Sequence, residues 1–76
     1  MSGRAGKHRT DDPIREVTGH LVAEYRGALP PGTVLRCVAR CRQQLRRAGM
    51  RAGLDHAVEA MARHRLRELR QIRAAG

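Results

Sequence analysis

The chain has 76 residues, which suits one small domain that buries only roughly 60% of the surface exposed by its unfolded form. Its 16 basic and 7 acidic residues give a net charge of +9, and its single aromatic residue leaves the core to Leu, Val, Ile, Ala and Met, which favours helices over a β-sandwich. The absence of an apolar signal segment and of any run near the ~18 apolar residues of a membrane span predicts a cytoplasmic protein without membrane association.

The N-terminal region divides into an arm and the start of a helix. Residues 1–10 carry glycine, serine and basic side chains without apolar periodicity, which predicts a disordered basic arm before a folded domain at 11–76. Asp12 can cap a helix, and Pro13 fits its first turn. Apolar residues then recur at steps of three and four and predict a first helix over about 13–28. Its apolar face contains Ile14, Val17, Leu21, Tyr25 and Ala28.

Two further helices follow, separated by corners rich in proline and glycine. The paired prolines end the first helix, and the second is predicted over about 31–48, stopped by Gly49. The third is predicted from residue 54 or 55 to 73, with an apolar face that includes Leu54, Val58, Met61, Ala62, Leu66, Leu69 and Ile72. Gly19 either weakens the first helix or marks the close approach of another backbone. Short corners between three amphipathic helices predict an all-α three-helix bundle.

The candidate chemical groups favour a protein without catalysis. Cys37 and Cys41 are four residues apart, so both thiols lie on one helix face, near enough to share a soft metal. They lack the paired spacing of structural zinc sites, and burial as small apolar side chains is favoured. No nucleophile can be paired with a base. The sequence therefore predicts no enzyme activity, metal or cofactor, while a soft-metal site at the two cysteines stays open.

The basic charge raises nucleic-acid binding as an alternative function. The candidate contacts are the arm and four arginines of the third helix, namely Arg63, Arg67, Arg70 and Arg73. Against this alternative, the chain has no Asn for reading bases and no set of aromatic residues for stacking single strands. Fifteen of the 16 basic residues are Arg, a bias also expected of a GC-rich coding sequence.

The pattern from Ile14 to Leu69 resembles the actinobacterial three-helix bundle dimerization domain family, which occurs alone and in front of phosphatase-like arsenate reductase domains. The resemblance is carried by apolar positions of the first helix, the proline corner, the start of the second helix and the basic third helix. These residues are Val17, Leu21, Val22, Tyr25, Pro30, Pro31, Thr33, Val34, Val38, Arg63, Arg65 and Leu66. The resemblance implies self-association through helix faces and carries over no catalytic residue.

The leading functional prediction is a protein-interaction module that forms a homodimer. Three short helices with few large side chains present more apolar surface than one small bundle can easily bury, and a second copy can cover the rest. The predicted interface comprises Leu21, Val22, Tyr25, Val34, Leu35 and Val38. Tyr25 is given most weight, because an aromatic ring with a polar tip suits a partly hydrated interface.

Overall fold

A computed structural model of the chain describes the backbone of residues 12–75 and the side chains of residues 13–75. The predicted arm at residues 1–10 and the capping role of Asp12 lie outside this description. The three helices are α1 (Asp12–Glu24), α2 (Pro31–Arg47) and α3 (Leu54–Ala75). The prediction of a small all-α three-helix bundle is confirmed.

Helix α1 ends four residues earlier than predicted. The backbone N–H groups of Ala28 and Leu29 both donate to the carbonyl of Tyr25, at 3.0 and 2.9 Å, and so close a turn in place of another helical turn. Gly27 adopts a φ of 88°, which few other residues tolerate. The residue before Pro30 is also disfavoured in helical conformation. Local backbone chemistry therefore ends the helix, although the apolar spacing continues.

Helix α2 begins and ends close to the predicted positions. Pro31 is its first residue, where the missing N–H has no cost. At the other end Gly49 has a φ of 91° and donates its N–H to Arg46, while Met50 donates to Leu45, both at 3.0 Å. This pair of bonds is a Schellman motif, in which glycine takes the left-handed position. Gly49 therefore ends α2, as predicted.

The core lies along the contact between all three helices. Eleven residues form it: Val17, Leu21, Tyr25, Leu29, Val34, Cys37, Val38, Cys41, Val58, Ala62 and Leu66. Short turns make α2 antiparallel to both neighbours, so α1 and α3 run in the same direction. Leu66 is the last buried residue of α3, although the helix continues to Ala75. We call residues 67–75, all of which are exposed, the α3 extension.

Candidate interaction surfaces

Four of the six predicted interface residues belong to the core of the single chain. Leu21 and Val34 are fully buried, and Tyr25 and Val38 are each 3% exposed. Their side chains have almost no area left for a second copy of the folded bundle to cover. Burial within one chain argues against these four residues as an interface of the folded bundle, because apolar periodicity marks the buried side of a helix without saying whether the same chain or another one buries it.

The other two predicted interface residues remain accessible. Leu35 is 51% exposed on α2, and Val22 on α1 is partly buried against the core. Val22 lies just before the end of α1 and Leu35 one turn after the start of α2, so both are next to the turn that joins these helices. We call these two residues the turn patch. It is the part of the predicted interface that a second copy could still contact.

A larger candidate surface is the groove between α2 and the second half of α3. It has a volume of about 430 Å³ and is lined by Thr33, Arg36, Cys37, Arg40, Arg65, Glu68, Leu69 and Ile72. Leu69 is 36% and Ile72 66% exposed, and both belong to the α3 extension. The sequence assigns these two residues to the apolar face of the third helix but not to the interface. We call this region the α2–α3 groove.

The two cysteines are buried, free thiols. The Cys37 Sγ–H donates to the carbonyl of Ala62 at 3.9 Å. Burial, together with the neighbouring Cys41, raises the pKa of Cys37 to about 11, so the thiol is protonated at neutral pH. Within the described residues, no three Cys, His, Asp or Glu side chains come together as metal ligands. These features favour the interpretation of both cysteines as core side chains.

Arg63, a predicted nucleic-acid contact, is held by carboxylates of the chain itself. Its Nη2 and Nε donate to the two carboxylate oxygens of Glu24, at 2.9 and 3.2 Å, and Nη2 lies 3.2 Å from Glu59. The hydrogen bond from Arg63 lowers the pKa of Glu24, and the same bond raises the pKa of Arg63. This guanidinium therefore links α1 to α3 and has little capacity left for a phosphate.

The remaining predicted contacts on α3 differ in their surroundings. Arg70 lies over the ring of Tyr25, with its guanidinium carbon 5.7 Å from the ring centre, a cation–π arrangement. Arg67 and Arg73 are exposed. The four arginines therefore do not form one uniform surface, because two of them are occupied by contacts within the bundle.

Helix α2 carries a denser positive charge than the sequence analysis recognised. It has five arginines and no acidic residue. Among the side chains that the structure describes, none of these five forms an ion pair. One side of the helix forms a hollow of about 410 Å³ lined by Ala39, Arg42, Gln43, Arg46 and Arg47, which we call the arginine face. The Nε of Arg42 is buried and has no hydrogen-bond partner within the described part of the chain.

Comparisons with protein families, curated proteins and solved structures found no match to this chain. The resemblance to the dimerization domain family stays a prediction. None of the described helices has the length and apolar character needed to cross a membrane.

Proposed function

We propose that the protein is a non-catalytic module that forms a homodimer through the α2–α3 groove. The observation that carries the proposal is the α3 extension, which continues the apolar face of the helix beyond the last buried residue. Ile72 is 66% exposed in the wall of the groove, and Leu69 lies one turn before it. Complete burial of a Leu or Ile side chain contributes about 1.5–3 kcal/mol. Burial of Leu69 and Ile72 against a second copy would therefore stabilise a dimer.

A second copy fits this groove because the exposed side chain of Ile72, which forms a ridge, lies beside the depression between α2 and α3. Ile72 stands on α3, and Thr33 and Cys37 line the opposite wall on α2. In a two-fold dimer each surface meets the same surface of the other copy, so the ridge of one chain can fill the depression of the other. Two apolar residues from each copy make a small contact area, for which we expect micromolar affinity or weaker.

The charge of the groove determines how the dimer responds to salt. Arg36, Arg40 and Arg65 line it, with Glu68 as the acidic residue. Two copies that meet through this surface bring arginines towards arginines. Salt screens this repulsion but leaves the burial of Leu69 and Ile72 intact. We therefore expect dimerisation to strengthen when the ionic strength is raised from about 50 to 500 mM.

The proposal is tested by placing a charge in the α2–α3 groove and, for comparison, on the turn patch. Ile72→Glu puts a carboxylate in the α2–α3 groove, and Leu35→Glu puts one on the turn patch. Both residues are exposed, at 66% and 51%, so neither substitution buries a charge in the folded monomer. Sedimentation equilibrium over a concentration range that extends well above a micromolar Kd should show a concentration-dependent dimer for the native protein and Leu35→Glu, and a monomer for Ile72→Glu.

Two results would contradict the proposal. A native protein that sediments as an 8.5 kDa monomer at every concentration and salt level would remove homodimerisation. Dissociation by Leu35→Glu but not by Ile72→Glu would place the interface at the turn patch. Circular dichroism checks that both variants keep their helical content.

A further inference from the structure

We infer that the arginine face of α2 binds the sugar–phosphate backbone of a nucleic-acid duplex, a second activity independent of dimerisation. Three arginines, Arg42, Arg46 and Arg47, surround one hollow with Gln43 as a neutral donor. Phosphate oxygens accept hydrogen bonds from guanidinium groups in a bidentate fork, which makes arginine well suited to this ligand. The proposal moves the nucleic-acid contacts from α3, where the sequence analysis places them, to α2.

The arginines of α2 and α3 differ in the contacts that they make within the bundle. On α3, Arg63 is neutralised by Glu24 and Glu59, and Arg70 covers Tyr25. On α2, no described carboxylate pairs with an arginine, and the buried Nε of Arg42 has no acceptor among the described groups. Helix α2, with five arginines and no acidic residue, therefore has the largest excess of positive side chains among the three described helices.

The dimensions of α2 suit a duplex. Arg36 and Arg40, which also line the α2–α3 groove, extend the positive charge towards the start of the helix, so arginines occur from residue 36 to residue 47. At 1.5 Å per residue this stretch is about 16 Å long. The major groove of B-DNA is about 12 Å wide, so the arginines of one helix can reach phosphates on both of its edges.

The side chains present favour contacts to the backbone over reading of sequence. Gln43 is the residue of the arginine face with an amide, whereas Gln44 already accepts a bond from Arg65 at 2.9 Å. The chain has no Asn for adenine recognition, and its single aromatic residue, Tyr25, is buried and so offers no stacking surface to single strands. We expect binding with little sequence preference, favouring duplexes over single strands.

The same face is a poor fit for a lipid surface. A helix that lies in a membrane interface combines basic residues with a large apolar side that enters the acyl region. Ala39 is the apolar residue of the arginine face, and the exposed Leu35 is not among the residues that line the hollow. Phosphate groups of a duplex therefore match this surface better than phosphate groups of lipids.

The test compares two triple variants that remove equal charge. Arg42→Gln/Arg46→Gln/Arg47→Gln neutralises the arginine face, and Arg26→Gln/Arg67→Gln/Arg73→Gln neutralises three exposed arginines elsewhere. Fluorescence anisotropy with labelled DNA and RNA duplexes of about 20 base pairs measures affinity from about 50 to 300 mM salt. Each phosphate contact contributes about 0.9 to the slope of log K against log salt for DNA. The arginine-face variant should bind the duplex about tenfold or more weakly, and the magnitude of its salt slope should fall by up to about 2.7. Both changes should be far smaller in the control variant.

The outcomes separate this inference from the dimer proposal and from the alternatives. No binding to either duplex at low salt, or equal losses in the two triple variants, would overturn it. Tighter binding to vesicles containing phosphatidylserine than to either duplex would overturn it in favour of a membrane. Ile72→Glu leaves the arginine face intact, so it should still bind duplexes even if it is monomeric. Comparison of the DNA duplex with the RNA duplex identifies which of them supplies the phosphates.

Discussion

Tyr25 shows how one residue can fit two interpretations of the same sequence pattern. It is the single aromatic residue of the chain and is 3% exposed. Its hydroxyl donates to the carbonyl of Arg63 at a long 3.4 Å, and Arg70 covers the ring. An amphipathic aromatic at a helix end suits an interface between chains, but here the same features join α1 to α3 within one chain.

We expect Tyr25→Ala to destabilise the monomer and Tyr25→Phe to have little effect. Loss of a large buried aromatic ring typically costs about 3–5 kcal/mol, whereas a 3.4 Å hydrogen bond contributes less than about 1 kcal/mol. Urea unfolding of both variants in the Ile72→Glu background measures the free energy of unfolding without a contribution from dimerisation. Normal stability of Tyr25→Ala in this background, combined with loss of the dimer in the native background, would restore Tyr25 as an interface residue.

The residue-scale contacts could be predicted only where they are local in sequence. Burial of Cys37 and Cys41 was favoured because free cysteine is commonly buried as a small apolar side chain and their spacing lacks the pattern of structural zinc sites. The ion pair of Glu24 with Arg63 joins residues 39 positions apart, and no periodic signal connects them. Long-range pairs of this kind depend on how the helices dock. For that reason Arg63 was predicted as a nucleic-acid contact, although it forms ion pairs with Glu24 and Glu59 within the bundle.

At the scale of the helices, Gly19 has neither a packing role nor a special backbone conformation in the structure. It lies within α1, is exposed, and a Cβ built on it would meet no heavy atom within 4 Å. Within the described part of the chain, no other backbone therefore approaches Gly19 closely. What remains is the conformational cost of glycine in a helix.

Gly19→Ala should raise the free energy of unfolding by about 0.5–1 kcal/mol, because alanine favours the helix and restricts the unfolded chain. The matched control is Gly49→Ala, which should be destabilising because a φ of 91° is strained for any residue with a Cβ. Thermal unfolding followed by circular dichroism measures both. A decrease in stability for Gly19→Ala would mean that a partner outside the described residues contacts this position.

The helix boundaries were predictable where proline and glycine mark them. Pro31 and Gly49 fix α2 to within one residue of the prediction, because one lacks a backbone donor and the other takes a left-handed conformation. The end of α1 was missed, since the apolar positions of Tyr25 and Ala28 continue the helical period into the turn. Periodicity reports which side is buried and is less sensitive to whether the backbone is still helical.

At the scale of the whole molecule, the bond between Glu24 and Arg63 makes the docking of α1 on α3 sensitive to pH. The pKa of Glu24 is lowered from 4.5 in the folded state. The ion pair of the Glu24 carboxylate with Arg63 therefore stabilises the fold above the unfolded pKa of 4.5. This contribution is lost as the pH falls through the lower pKa of the folded state. The carboxylate is 43% exposed, so solvent screening limits this contribution to less than about 1 kcal/mol.

Glu24→Gln should be less stable than the native protein at pH 7, and the difference should shrink below pH 4.5. Urea unfolding at several pH values, again with Ile72→Glu as background, measures this convergence. Arg51→Gln is the charge control, because Arg51 is exposed, forms no ion pair with the described carboxylates and is not among the charges that lower the pKa of Glu24. A stability difference for Glu24→Gln that stays constant from pH 7 to pH 3 would show that the ion pair does not form.

The proposed dimer and the proposed duplex complex respond to salt in opposite directions. Screening weakens the attraction between the arginine face and phosphates, but it also weakens the repulsion between the arginines of two facing grooves. A single salt titration with both readouts would separate the two equilibria.

The α3 extension also couples local folding to assembly. Residues 67–75 contain no buried side chain, and a stretch of this length gains little stability from helical hydrogen bonds alone. Its last turns are therefore the part of α3 that opens most readily in a single chain. A partner that covers Leu69 and Ile72 stabilises these turns at the same time as it binds. If the proposed dimer forms through these residues, the amide protons of the last turns of α3 should become protected from exchange with solvent as the protein concentration rises.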